Sequence, residues 1–162
     1  MKASPVALVL VLALTGAVDA QTAGPTVALT GLDGQQATIS IADLDALPHV
    51  TLDVTQHDMK HTYEGALLTD VLAKIHVPSG KALHGPDLSD VLLVQAKDGY
   101  KVVIDLADTD AITRKDRVIL ADKMDGAALS EKQGPFQLIV EGDLRPARSA
   151  RMVTAITVKR VQ

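Results

Sequence analysis

Short apolar runs bounded by glycine- and proline-containing turns constrain the fold of this chain more than any other feature of its sequence. Most of these runs have the length or the period-two alternation of β-strands, and only one segment is clearly spaced as an amphipathic helix. The strands outnumber the helices and do not alternate with them regularly, which argues against a doubly wound sheet. The sequence therefore predicts one α+β domain that is rich in strands.

Local signals place several of these elements along the chain. Asp33-Gly34 separates strands over 27–30 and 37–41, and this pair favours a tight hairpin turn because glycine tolerates positive φ. Helical spacing and capping signals favour helices in two places, and period-two patterns or continuous apolar runs favour strands in several more. The helices are predicted over 42–47 and 67–75, and the further strands over 50–54, 91–96, 100–106, 118–121, 136–140 and 152–161.

The N-terminus has the pattern of a secretory signal peptide. Lys2 gives a positive start, an apolar run follows over 6–14, and compact residues end at Ala20. A bilayer span requires ~20 apolar residues, so this run is too short, and a retained N-terminal anchor is the alternative. We therefore expect a signal peptide over 1–20, a mature domain over 21–162, and a periplasmic or secreted protein that does not span the membrane after cleavage.

The composition argues against several function classes. The chain contains no Cys, which removes disulfides, thiol nucleophiles and thiolate metal ligands. Its net charge is -4, and its aromatic residues are two Tyr and one Phe, so it lacks the basic surface and the stacking platforms of nucleic-acid-binding proteins. Nucleophile-elbow, phosphate-loop and dinucleotide-binding signatures do not occur in it either. No nucleic-acid partner is expected.

His57 and His61 lie four residues apart with an acidic residue after the first, which resembles the spacing of a zinc-peptidase motif. That motif works on a helix, whereas β-branched strand formers flank these residues and no third ligand is evident. A solvated turn is therefore the simpler interpretation. A looser metal site on the surface of a strand, using His57 and His61, is the alternative.

The segment over 145–151 contains three arginines, Arg145, Arg148 and Arg151, although the net charge of the chain is negative. Guanidinium groups suit planar oxygen groups such as carboxylates, phosphates or the keto-amide edge of a heterocycle. In an extended segment Arg145 and Arg151 would share a face and Arg148 would point the other way, unless Pro146 bends the chain. A solubilising run of charge is the alternative interpretation.

Asp98-Gly99-Tyr100 is a hairpin turn followed by an aromatic residue. Tyr100 offers a ring for stacking and a hydroxyl group for orienting a ligand. A partly buried, structural tyrosine is the alternative, because tyrosine packs routinely in sheets.

Taken in order, these pieces resemble the sulfite-oxidase-type molybdopterin-binding domain family over most of residues 58–160. The resemblance rests on Tyr63-Glu64-Gly65, Asp98-Gly99-Tyr100, Asp125-Gly126, Gly134-Pro135-Phe136 and the arginine segment ending at Arg151. It implies a mostly β core with mixed sheets, one or two short helices and a pterin-shaped pocket. The ligand-binding candidates at or near that pocket are Asp98, Tyr100, Tyr63, Arg145, Arg148 and Arg151.

The missing cysteine separates this chain from the catalytic members of the family it resembles. Those members hold molybdenum through a cysteine thiolate, a soft ligand that suits a redox-active metal. We therefore expect no catalytic residues, no molybdenum, and a pterin or molybdopterin-like ligand bound as a small heterocycle. Some small members of this kind act as periplasmic pterin receptors, so the resemblance implies a membrane signalling protein as partner.

Two alternative functions are retained from the sequence. One is a molybdenum-cofactor-dependent oxidoreductase, or its subunit, with a non-thiolate metal ligand. The other is an exported metal-binding protein that uses His57 and His61. Metal content distinguishes these alternatives from a pterin-binding domain that is not an enzyme.

Overall fold

The structure is a computed structural model that describes residues 24–56 and 59–161. Within these ranges the strands are β1 (Thr26–Thr30), β2 (Gln36–Ser40), β3 (His49–Gln56), β4 (Met59–Leu67), β5 (Asp90–Ala96), β6 (Lys101–Asp105), β7 (Val118–Met124), β8 (Ala127–Ala128), β9 (Gln137–Val140) and β10 (Val153–Arg160). The α-helices are α1 (Ile41–Asp45) and α2 (Leu68–Leu72), and 3₁₀ turns join several of the elements. The predicted α+β class with a mostly β core is confirmed.

The predicted signal peptide over 1–20 lies outside the described residues. In the ranges that the structure describes, no helix has the length and apolar character needed to cross a membrane.

Two five-stranded sheets form the domain. In the first sheet the strand order is β2-β1-β10-β5-β6, with β1 parallel to β10 and the other neighbours antiparallel. In the second sheet β3, β4 and β7 are antiparallel neighbours, and β8 and β9 both pair with β7. The first sheet is therefore mixed, as expected, and β7 is the strand that holds the second sheet together.

Strand β7 is buried on both of its faces. Val118 and Leu120 belong to a large core cluster that also includes residues of the first sheet and of α2. Ile119 and Ala121, which point the other way, belong to a smaller cluster on the opposite face of the second sheet. Burial on both faces explains why this strand reads as a continuous apolar run in the sequence.

The junction between β4 and α2 differs from the prediction. Strand β4 extends to Leu67, so the helix predicted over 67–75 begins one residue later, at Leu68. The last part of the predicted helix, over Ala73–Ile75, is a 3₁₀ turn. Gly65 lies inside the strand, where a Cβ atom would be 2.1 Å from the carbonyl oxygen of Leu120. This glycine therefore permits a close approach of β4 to β7.

The arginine segment is bent, so the extended geometry that would place Arg145 and Arg151 on one face does not occur. Pro146–Arg148 form a 3₁₀ turn. Beyond the turn, the backbone N–H of Leu138 donates a hydrogen bond of 2.8 Å to the carbonyl oxygen of Ala150, which attaches the end of the segment to β9. The bend brings the segment against both β9 and the turn between β5 and β6.

Candidate functional site

A pocket of about 200 Å³ lies where the β5–β6 turn, the start of β9 and the arginine segment meet. Its lining residues come from these three parts of the chain and are mostly polar or small. They are Asp98, Tyr100, Gln137, Pro146, Ala147, Ser149, Ala150 and Arg151. The fold therefore brings together three of the residues proposed from the sequence, Asp98, Tyr100 and Arg151, although about fifty positions separate the first from the last.

Asp98 and Tyr100 form the side of the pocket that belongs to the β5–β6 turn. The carboxylate of Asp98 accepts a hydrogen bond of 2.9 Å from the backbone N–H of Tyr100, and Gly99 supplies the positive φ of 88° that the turn requires. The Tyr100 hydroxyl donates to the carbonyl oxygen of Ala147 at 2.8 Å. Because that bond fixes the ring while 48% of the residue stays exposed, Tyr100 offers a ring surface for stacking.

Gln137 is a lining residue that the sequence reasoning missed. It begins β9, is only 1% exposed, and pairs through its backbone with Ala121 of β7. Among the described residues, its side-chain Oε1 has no hydrogen-bond partner. The sequence did contain a signal for this residue, because Gln137 is the one polar residue in the apolar run over 136–140. A polar side chain in a buried strand normally requires a hydrogen-bond partner.

Ser149 attaches the opposite wall of the pocket to β9. Its Oγ accepts a hydrogen bond of 3.1 Å from the backbone N–H of Val140, and its own N–H donates to the carbonyl oxygen of Pro146 at 3.1 Å. The serine is buried, so these bonds are shielded from water. The wall that carries Ala150 and Arg151 is consequently held in place before any ligand binds.

The three predicted arginines have different environments. Arg148 directs its Nε and Nη2 atoms to the two carboxylate oxygens of Asp143, at 2.9 and 2.5 Å, and its Nη1 to Asp108 at 3.2 Å. These hydrogen bonds, with that to Asp143 dominant, raise the pKa of Arg148 above its ordinary value. Arg145 is exposed and is not among the lining residues, whereas Arg151 is exposed and lines the pocket. The structure thus places one of the three guanidinium groups at the pocket.

The two other aromatic candidates for stacking are buried in the core. Tyr63 is 1% exposed and packs in the smaller cluster, and Phe136 is fully buried in the larger one. Burial raises the pKa of the Tyr63 hydroxyl, and the positive charge of Arg151 opposes this effect. Tyr63 is not among the residues that line the pocket. Tyr100 is accordingly the aromatic residue that faces the pocket.

His61 belongs to a different part of the molecule. Its Nδ1 lies 2.7 Å from Oδ2 of Asp125, whose other oxygen accepts a hydrogen bond of 2.9 Å from the backbone N–H of Thr62. These contacts, with the Thr62 bond dominant, lower the pKa of Asp125. His57 lies outside the described residues. Within the described part of the chain, no group of three or more His, Asp or Glu residues is arranged to hold a metal ion.

A second pocket, of about 290 Å³, is lined by Arg114, Arg117 and neighbouring residues. Arg117 donates to Glu141 at 3.0 and 3.1 Å, and Arg114 contacts Asp108 and Asp116 at 3.5 and 3.4 Å. This pocket is larger than the one at Arg151. Because carboxylates already bind its guanidinium groups, these groups are less available to a polar ligand than Arg151 is.

The pocket at Arg151 suits a pterin ring better than it suits a redox metal. Its volume of about 200 Å³ is below the ~300–1,000 Å³ typical of drug-sized ligands, which favours a small ring system. The Tyr100 ring offers a surface for stacking, and the Gln137 carboxamide and the Arg151 guanidinium group offer hydrogen-bonding groups that suit a keto-amide heterocycle. A thiolate ligand for molybdenum is missing from the chain, and Asp98 is the carboxylate among the lining residues.

Comparisons with known proteins point to the same fold. A family model described as the oxidoreductase molybdopterin binding domain matches residues 16–162. No curated protein matches the sequence. Among solved structures, the sulfane dehydrogenase SoxCD from Paracoccus pantotrophus has a TM-score of 0.62 and 17% identity, and the match covers 85% of this chain and 39% of that chain. The likeness shows a shared fold, and this chain spans about two fifths of the length of that protein.

Proposed function

We propose that this chain, which belongs to the oxidoreductase molybdopterin-binding domain family, is a pterin-binding domain that does not catalyse a reaction. The family supports the class of ligand, and the lack of Cys supports binding without catalysis. The membership confirms the resemblance inferred from the sequence and makes a pterin cofactor the ligand class to consider. The main support for this proposal is the set of residues that lines the pocket at Arg151. A buried glutamine whose side-chain oxygen has no hydrogen-bond partner among the described residues, an aromatic ring and an exposed arginine all line one pocket, in a chain that has no Cys to hold a metal.

The lining residues have separate roles in the proposed complex. Tyr100 provides the surface on which a flat ring stacks, because its hydroxyl is already held by Ala147. Gln137 provides hydrogen-bonding groups at the strand side, and Arg151 provides a cation for an electron-rich oxygen or a phosphate. A bound pterin supplies a planar ring with a keto-amide edge, and these residues bind and orient it.

The donor set is the reason for proposing binding in place of oxygen-atom transfer. Redox molybdenum in this family is held by a soft thiolate, as the resemblance implies, and this chain has no Cys. A carboxylate such as Asp98 is a hard ligand that favours other metals. The residues present therefore fit the organic part of the cofactor and do not fit its metal.

Export and a protein partner are further parts of the proposal. The apolar run over 6–14 supports secretion to the periplasm or beyond. The partner is proposed from the family resemblance, because small periplasmic pterin receptors of this kind pass ligand occupancy to a membrane signalling protein.

An oxidoreductase, or a subunit of one, is the second candidate function. The name of the matching family and the fold shared with a sulfane dehydrogenase favour it. This alternative requires a metal ligand other than thiolate. Metal analysis of protein purified from its native compartment distinguishes the two, because stoichiometric molybdenum would favour the oxidoreductase.

Titration of the purified mature domain with pterin, followed by ligand fluorescence, tests the proposed function. We expect saturable binding of one ligand per chain, weakened in Tyr100→Ala and Arg151→Ala. Arg145→Ala is the matched control, because Arg145 lies in the same segment but does not line the pocket. Equal affinities for the three variants and the wild type would show that the ligand site lies elsewhere, and no binding at all would reject a pterin ligand.

A further inference from the structure

Gln137 occupies an unusual position in a strand that is otherwise apolar. All four residues of β9 are buried. Leu138 and Val140 point into the large core cluster and Ile139 into the smaller one. Because side chains alternate along a strand, Gln137 lies on the same face as Ile139, and there it forms part of the pocket lining.

The side-chain oxygen of Gln137 is a buried acceptor for which the described residues supply no donor. The residue is 1% exposed, and within the described ranges its Oε1 has no partner. A buried acceptor without a hydrogen bond loses its hydration and gains nothing in return, whereas a leucine at this position would fill similar space without that loss. Buried polar groups without a hydrogen-bond partner are expected at sites that bind a ligand.

The geometry points to Gln137 as the residue that determines specificity in this pocket, and this inference rests on the proposed function. A carboxamide carries a donor next to an acceptor, and rotation about its last side-chain bond directs either one towards a ligand. A lactam edge, in which a ring N–H adjoins a C=O, carries the complementary pair. We propose that Gln137 selects neutral heterocycles with such an edge, of the size of a pteridine or a purine.

The neighbouring polar groups agree with this class of ligand. Asp98 and Arg151 line the same pocket, so one negative and one positive group are present and a strongly charged ring gains little over a neutral one. The volume of about 200 Å³ restricts the ligand to a compact ring system. A neutral ring that exchanges two hydrogen bonds with Gln137 therefore fits the charge and the size of the pocket.

The first test replaces the carboxamide by an apolar group of similar size in Gln137→Leu. We expect the melting temperature of the unliganded protein to rise by about 2–4 °C, because an unpartnered buried amide is removed. We expect the affinity for pterin to fall about tenfold, because two hydrogen bonds to the ligand are lost. A lower melting temperature with unchanged affinity would make Gln137 a structural residue and overturn the inference.

The second test measures selectivity and remains informative if absolute affinities change. Gln137→Glu replaces the carboxamide donor by a carboxylate, which only accepts hydrogen bonds. A carboxylate pairs with the adjacent ring N–H and 2-amino group of pterin, but it is repelled by the carbonyl groups on both sides of the same ring N–H in lumazine. The probes are pterin and lumazine, which share the 4-oxo lactam edge and differ at position 2. We expect the affinity ratio of pterin to lumazine to rise at least about tenfold relative to the wild type.

The outcomes separate this inference from the proposed function. If the wild type binds pterin but Gln137→Glu leaves the ratio unchanged, the pocket binds pterin and Gln137 does not determine specificity. If the wild type binds neither probe, the proposed function is wrong and this inference with it. Arg145→Ala is the control, and its affinity ratio is expected to equal that of the wild type.

Discussion

The two halves of the arginine segment differ in what surrounds their charges. In the first half, over 145–148, Arg148 is held by Asp143 at 2.9 and 2.5 Å and by Asp108 at 3.2 Å. In the second half, over 149–151, Arg151 is exposed and lines the pocket. Whether a guanidinium group is available to a ligand therefore depends on the carboxylates around it, and not on the spacing of the arginines along the chain.

The largest effect is expected for ligand binding in Arg151→Ala. Loss of a charge-assisted hydrogen bond should weaken pterin binding by about 1.5–3 kcal/mol, which is roughly 10- to 150-fold. The free energy of unfolding should stay within about 0.5 kcal/mol of the wild type, because the side chain is exposed. Fluorescence titration and urea denaturation measure the two quantities. Unchanged affinity in this variant would remove Arg151 from the site.

Arg148→Ala should show the opposite pattern. The side chain of Asp143 is 15% exposed, so removing its partner leaves a poorly hydrated charge. We expect the free energy of unfolding to fall by about 1–2 kcal/mol, a moderate value because the Arg148 side chain is itself 35% exposed. Pterin affinity of the folded protein should change by less than about threefold. A stable variant that no longer binds would reverse the assignment of the two arginines.

Tyr100→Phe tests whether the hydrogen bond between Tyr100 and the first half of the arginine segment contributes to ligand binding. The substitution removes the 2.8 Å hydrogen bond to Ala147 and keeps the ring. We expect a loss of about 0.5–1 kcal/mol in binding free energy, because the ring is held less firmly. Tyr100→Ala is the matched comparison and should lose more, since the stacking surface is removed. If the two variants bind equally weakly, the hydroxyl and not the ring makes the important contact.

Asp108→Asn should have the smallest effect. Its carboxylate is 39% exposed and contacts Arg148 at 3.2 Å, so it behaves largely as a surface ion pair. We expect a stability loss of no more than about 0.5 kcal/mol and no change in pterin affinity. Urea denaturation of Asp108→Asn beside Arg148→Ala separates the two contacts. A loss as large as that in Arg148→Ala would mean that Asp108, and not Asp143, is the main partner.

The fold was largely predictable because it follows from local chemistry. Asp33-Gly34 forms the predicted hairpin turn, with Gly34 at φ 79°, and the strands predicted over 91–96 and 100–106 form the paired strands β5 and β6. The end of β4 was not predicted, because Gly65 is required by the close approach of β7, a contact distant in sequence. The pairing of strands depends on such long-range contacts throughout the molecule.

The candidate site was predictable only in part. Asp98, Tyr100 and Arg151 were singled out by residue type, and the fold places them at one pocket. Arg148 was grouped with Arg151 because a sequence does not reveal that Asp143, beyond the bend at Pro146, and Asp108, forty residues away, will bind its guanidinium group. Gln137 was missed because its importance depends on an unpartnered atom, which only a three-dimensional arrangement defines.

Chemical-shift mapping by NMR during a pterin titration shows directly whether pterin binds in the pocket at Arg151. We expect the largest changes at the side-chain NH₂ of Gln137 and at the backbone amides of Tyr100 and Arg151, with small changes at Arg145. Changes centred on Arg114 and Arg117, which line the larger pocket, would contradict this expectation. A spectrum that does not respond to pterin would also contradict it.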